Sequence, residues 1–417
     1  MTSYRELFRV FGRIGILSFG GPAAQIALMH RELVDRLKWV DEGEYLRALS
    51  FCMLLPGPEA MQLATYAGWR QRGILGGIIA GGLFVLPGAA IILSLAMAYG
   101  HWGNIPLIQA LFMGIQAAVV IIVVEALLRV AKRALKRPVH WLIAGLAFAA
   151  LFLFHLPFWA VILVAALAGF LTAQGSETPA APQRKTPSTL PAVAGFALLW
   201  AIPLATLGLF EGGLLWDMAL FFSNLAIVTF GGAYAVLAAM TQTVVQTHGW
   251  LETPQMIDAL GLAETTPGPL ILVTEFVGYM AAFRQGGMLY GIAGALVALW
   301  MTFIPCFLWV FAGAPHIHRL AAMPRLSAAL AAITAAVVGV IANLSIWFAA
   351  HVAFGRVTET SFGPLHLLAP DWSSLNPVSL ALTALAALLL LRLHKGLALT
   401  LALCGALGVA SHLAGLA

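Results

Sequence analysis

From Leu107 to Leu128 the chain reads "LIQALFMGIQAAVVIIVVEALL", with Glu125 as its only charge. A helix needs about 20 apolar residues to cross the ~30 Å hydrocarbon core of a bilayer. In lipid, a single segment satisfies its own backbone only as a helix. Runs on this scale recur near 7–29, 45–67, 74–99, 105–131, 140–156, 158–173, 191–210, 215–240, 256–280, 287–313, 325–350, 377–393 and 396–416. The fifth and sixth are short and meet at "HLPF" as a tight hairpin. Only 9% of the residues are charged, against about 25% in soluble domains. The sequence therefore predicts an all-α polytopic membrane protein.

Several chemistries fall away at once. Cys52, Cys306 and Cys404 stand singly in apolar segments, without a CxxC or Cys/His cluster, so neither a disulfide framework nor a metal site is expected. The N-terminus scatters charges and lacks a small-residue cleavage site, which argues against a removable signal peptide. The net charge of +5 needs no nucleic-acid partner, because its distribution fits the positive-inside rule. The densest basic run, "RVAKRALKR" (129–137), is placed in the cytoplasm, as are Arg184, Lys185, Arg319, Arg325, Arg392 and Lys395. Counting thirteen spans from there puts the N-terminus inside and the C-terminus outside. The same count leaves "HRELVDRLKWVDEGEY" (30–45) outside despite its three basic residues.

A duplication runs through the chain. "SFGGPAAQIALM" (18–29) aligns with "TFGGAYAVLAAM" (229–240) at an offset of 211, which also pairs Trp39 with Trp250 and Pro56-Gly57-Pro58 with Pro267-Gly268-Pro269. Further on, an offset of 218 pairs Pro87 with Pro305 and Pro106 with Pro324. Residues 1–172 form the first repeat and 215–417 the second, each of about six spans. Residues 173–214 join them as a Pro/Ser/Thr-rich connector with the composition of a disordered linker, plus one extra span. An odd number of spans between equivalent positions inverts the second copy. In secondary transporters built this way, the site lies near the midplane at broken helices.

Breaks occur where such a site needs them. Proline inside a helix removes a donor and clashes with the preceding turn, but it is favourable at a helix start. Pro58 and Pro269 read as starts of new helices after Pro56-Gly57 and Pro267-Gly268, with Thr266 as a cap for the second. Gly20-Gly21 before Pro22, and Gly231-Gly232 in the second copy, read as matching breaks. Each restart aims a helix N-terminus inward, where its unpaired N–H groups and partial positive charge suit an anion. Ser18, Thr229, Gln62 and Thr65 are candidate polar donors beside these breaks.

Ionisable residues within spans are costly and mark function by default. They are Arg13, Arg47, Glu59, Glu125, Glu264 and Glu275. Glu59 and Glu264 flank the two PGP motifs and are candidates for carrying a coupling proton, with dipole complementation as the alternative for Glu59. Arg13 and Arg47 are candidate counter-charges, with snorkelling to an interface as the alternative. Glu125 reads as an ordinary i,i+4 partner of Arg129.

At these residues the sequence resembles the chromate ion transporter family in its long two-domain form. The first half carries "SFGGP", "LPGPEAMQLATYAGWRQRGILGG" and "FVLPG"; the second carries "TFGGAYAVL", "TPGPLILVTEFVGY" and "FIPC". The resemblance implies a multi-pass protein of the bacterial inner membrane that exports chromate and confers chromate resistance. Some relatives are linked to sulfate or other oxyanions, so sulfate is a second expected ligand. Ala233 stands where the first copy has Pro22, which puts equal roles for the halves in question. No P-loop, CxxCH haem site or dinucleotide fingerprint is present, so no cofactor is expected and a chromate reductase is the weaker reading. A channel-like anion conductor and a homodimeric assembly are compatible with the same residues.

Overall fold

The computed structural model describes residues 2–173, 189–210, 212–230, 232–317, 323–363 and 365–416. Most of the connector, including Arg184 and Lys185, lies outside them, as do Gly231, His318 and Arg319. Five helices among the described residues are long and apolar enough to cross a membrane, within Glu59–Trp102, Pro106–Ala134, Leu190–Phe210, Leu270–His316 and Pro324–Ala353. Their outer faces, and those of shorter helices, present residues such as Leu146, Leu209 and Phe210 at 61%, 79% and 86% exposure. In water that surface would aggregate; in lipid it is the solvated face. The protein is an all-α polytopic membrane protein.

The helices are α1 (Tyr4–Leu17), α2 (Gly21–His30), α3 (Glu42–Cys52), α4 (Glu59–Trp102), α5 (Pro106–Ala134), α6 (Pro138–Phe152), α7 (Phe158–Thr172) and α8 (Leu190–Phe210). They continue with α9 (Leu214–Val228), α10 (Ala233–Gln242), α11 (Thr253–Thr265), α12 (Val273–Gly313), α13 (Pro324–Ala353), α14 (Pro377–Ala387) and α15 (Leu397–Leu413). A β-hairpin, β1 (Val357–Phe362) with β2 (Leu365–Pro370), stands between α13 and α14.

Two compact units divide the chain, and each draws on both sequence copies. The first contains residues 1–97, 173–236 and 266–328; the second contains 98–172, 237–265 and 329–417. In the second unit α5 packs on α11, α14 and α15. The small residues of this contact are required, since a Cβ on Gly114 would lie 2.0 Å from the Cys404 carbonyl oxygen. Glu125 there pairs with Arg129 at 2.6 Å, the i,i+4 contact expected.

The first unit corrects the reading of 7–29 and 45–67 as single spans. Each is two helices that fold back on themselves. Gln71 closes the first hairpin by accepting from Thr2 Oγ1 at 2.9 Å and donating to the Trp39 carbonyl at 2.8 Å, so the start of α1 and the chain beyond α2 meet at one side chain. In the second, Glu44 at the start of α3 binds Tyr66 at 3.4 Å and pairs with Arg70, both well into α4. Eleven residues of α3 rise only ~16 Å, too little to cross and enough to reach the membrane interior and return. Residues 30–45 therefore lie at the same end as the N-terminus. Removing two crossings leaves their parity unchanged, but the three basic residues no longer oppose the orientation that the other loops indicate.

Both long helices are themselves hairpins. α4 reverses at Arg72–Gly73, where Gly73 has φ +64°, and α12 reverses at Gly286–Gly287, where Gly287 has φ +71°. A Cβ on Gly76 would lie 2.3 Å from the Gly68 oxygen, and one on Gly294 would lie 2.3 Å from the Gly278 oxygen. Residues eight and sixteen apart in a straight helix are ~12 and ~24 Å distant, so the arms run back alongside each other. The short arms, 59–71 and 273–285, are buried almost all round.

Candidate functional site

Four helix breaks meet in two pairs inside the first unit. They are the segments around Ser18–Gly21, Pro56–Pro58, Thr229–Gly232 and Thr266–Pro269, each between two helices. Gly57 donates its N–H to the Thr229 carbonyl at 2.9 Å, and Gly268 donates to the Ser18 carbonyl at 3.0 Å. The two bonds are related by the 211-residue offset at both ends: each PGP glycine is tied to the FGG break of the other copy. Both glycines have left-handed backbone, with φ +111° at Gly57 and +93° at Gly268.

The side chains beside the breaks brace this junction. Ser18 Oγ donates to the Gly15 carbonyl at 2.8 Å and accepts the Gly268 N–H at 3.0 Å. Thr229 and Thr65 donate their hydroxyls back to Leu225 and Met61 in their own helices. Gln62 donates from Nε2 to the Pro56 carbonyl at 2.6 Å, inside its own PGP turn. The N–H of Gly57 and Gly268, and the hydroxyls and amide that sequence reading offers to an anion, are thus engaged with the breaks themselves. The groups left without a partner in their own helices are the first N–H groups after each break. Their partial positive charge attracts anions.

The first-copy breaks are the more open. Gly20 is exposed, Gly21 is half-buried with φ +74°, and a Cβ on Gly21 would meet nothing within 4 Å. Thr266, Pro267, Gly268 and Pro269 are all buried. The residue preceding the second restart is Pro269 rather than Thr266, and it leads a short 3-10 turn, Leu270–Leu272, before α12. Glu59 begins α4, and its carboxylate oxygens lie 3.6 and 3.9 Å from the Cβ direction of Gly232, so this acid stands against the other copy's break. Glu264 is buried at the end of α11, in the second unit. Arg13 and Arg47 are exposed on α1 and α3 and do not join the buried junction.

Sequence reasoning missed four participants. Gln25, only 1% exposed, donates to both the Ser18 and Gly268 carbonyls, at 3.1 and 2.6 Å. Its signal was a lone amide three residues after Pro22, close to the four-residue spacing of Gln62 from Pro58. Cys306 reads as a small apolar residue, yet it packs against Gly57 and Gln62 and donates to the Thr302 carbonyl at 3.2 Å. Thr302 lies 3.4 Å from the Thr274 hydroxyl, extending a polar thread from the first PGP turn to the first turn of α12. No local pattern marks those threonines.

Comparison with known proteins identifies the family. A family model described as "Chromate transporter" matches twice, over residues 5–170 and 216–409. A probable chromate transport protein of Synechococcus elongatus is 33% identical over 360 residues, covering 82% of this chain and 83% of the relative. Chromate transport proteins of Cupriavidus metallidurans and Pseudomonas aeruginosa are 31% and 32% identical, covering 82% and 87% of this chain and 82% and 84% of their own lengths. No solved structure matches the chain. With a family model matched in both halves and relatives above 30% identity over more than four-fifths of their length, the chain belongs to the chromate transporter family.

Proposed function

We infer that the protein exports chromate, a sulfate-like dianion, across the bacterial inner membrane and thereby confers chromate resistance. The observation that carries this is the reciprocal pair of backbone bonds, Gly57 to Thr229 and Gly268 to Ser18. It ties four helix breaks together in two pairs, and so holds several anion-attracting N-termini in an arrangement that lets irregular backbone persist at membrane depth. The repeats, 1–172 and 215–417, have opposite topology in this reading. The helices that cross between equivalent positions number odd whether the short α6–α7 pair crosses or turns back. Tetrahedral dianions share the same needs, so sulfate competes.

The membrane potential supplies the driving force. An interior-negative 100 mV is worth ~2.3 kcal/mol per charge, so outward movement of a dianion gains about 4.6 kcal/mol, a gradient on the order of a thousandfold. Everted vesicles holding the protein are expected to take up chromate, with excess sulfate inhibiting and collapse of the potential reducing uptake. Absence of chromate flux from vesicles with verified insertion would remove the substrate assignment.

Gly21→Leu tests the open N-terminus of α2. The position has free space but a left-handed φ of +74°, so the cost to the fold is about 1–2 kcal/mol, while the side chain covers the exposed N–H groups. Membrane insertion should be retained and chromate flux should fall at least tenfold. Flux at the normal level would place the anion elsewhere.

A further inference from the structure

Glu275 is 1% exposed, and its Oε2 has no hydrogen-bond partner. It lies in the first turn of α12, next to Thr274 at the end of the polar thread from Gly57. Asp258, another buried acid, is different: Tyr99 and Gln116 donate to its two oxygens at 2.7 and 2.8 Å. Among the described residues no ion pair includes Glu275. Its own arm carries Tyr279 and, further on, the exposed Arg284; the returning arm of α12 carries Tyr290 and Cys306. Packed against α12, α9 offers only the exposed Asp217 and α8 no titratable group, while α4 begins with Glu59.

A carboxylate so placed competes with an anion. In the first turn it complements the helix dipole, the same partial charge that draws an oxyanion to the break. A dianion and an ionised Glu275 repel each other across a low-dielectric interior, whereas a protonated Glu275 leaves the N-terminus free for the anion.

We propose that Glu275 is a proton-binding gate of the oxyanion site: the anion occupies the junction when a proton from water sits on the Glu275 carboxylate, and loss of that proton to water expels the anion. This rests on the oxyanion reading above. Thermodynamic linkage makes the coupling reciprocal, so proton and anion bind together, and a transport cycle carries one net negative charge rather than two.

The test is chromate–chromate exchange in proteoliposomes, with equal pH on both sides and no potential, over the alkaline range where chromate is wholly the dianion. For the unmodified protein, the half-saturating chromate concentration should rise with pH, approaching about tenfold per unit. In Glu275→Gln, which keeps the shape and lacks the charge, exchange should persist and the half-saturating concentration should stay constant with pH. Glu275→Asp keeps an acid and should keep the rise, which serves as the readout if the glutamine variant fails to insert. A Glu275→Gln variant with the unmodified slope, a Glu275→Asp variant without it, or a pH-independent unmodified protein would each overturn the gate. An unmodified protein that inserts but exchanges no chromate overturns the oxyanion reading itself, a distinguishable failure.

Discussion

Replacing Gly57 by alanine is expected to reduce chromate flux by at least tenfold while the protein still reaches the membrane. Two independent effects combine. Gly57 has φ +111°, a backbone state that a Cβ penalises by about 1–2 kcal/mol. The new methyl would also lie 2.7 Å from Cys306 Sγ and 3.0 Å from Gln62 Nε2, and overpacking of that kind costs about 1–3 kcal/mol. Relaxing either contact moves the Gly57 N–H away from the Thr229 carbonyl, so the damage falls on the junction. Cys306→Ala in the same background removes the sulfur contact but leaves the backbone penalty. The double variant should therefore recover part of the lost flux and none of the φ strain. Full recovery would show that only packing matters at Gly57; unchanged flux in the single variant would show that the break tolerates a side chain.

The second large effect concerns one helix face and contains its own control. Along the long arm of α4, a Cβ at Gly88 would lie 2.2 Å from the Pro267 carbonyl oxygen and 2.6 Å from Leu272 Cδ1. At Gly82 it would meet nothing within 4 Å. A backbone oxygen held in a PGP turn cannot step aside, so Gly88→Ala should destabilise the protein by about 2 kcal/mol. Gly82→Ala lies in the helix interior, where alanine is favoured by about 1 kcal/mol, and should match or exceed the unmodified protein. Thermal unfolding in detergent reads the difference, and equal midpoints for both variants would contradict the packing described. Position 88 pairs with Cys306 under the 218-residue offset. Both copies thus place a small residue of the returning arm against the other copy's PGP turn, glycine against Pro267 in one and cysteine against Gly57 in the other.

Much of this was legible in the residues. Runs of ~20 apolar residues dictated membrane helices because the bilayer leaves the backbone few alternatives. The breaks were legible too: proline removes a donor and glycine admits positive φ whatever lies nearby, and the helices stop at Leu17, Cys52, Val228 and Thr265 as those motifs require. Length and hydropathy alone could not tell a crossing from a return, since a broken span and a hairpin have the same apolar content. Gln71 and Glu44 decided that by binding residues between 22 and 69 positions away.

The assignment of donors was likewise beyond the sequence. Ser18, Gln62, Gly57 and Gly268 are the right residue types beside the right breaks, but whether an N–H faces a ligand or a carbonyl depends on what packs opposite. Ser18 and Gly268, 250 positions apart, settle it by bonding to each other. Glu275 was visible as an intramembrane acid, while its burial without a partner was not. The sequence by itself determined where the helices break, because proline and glycine act through their own backbone. Only the tertiary structure decided which break meets which, because that follows from the packing of distant segments.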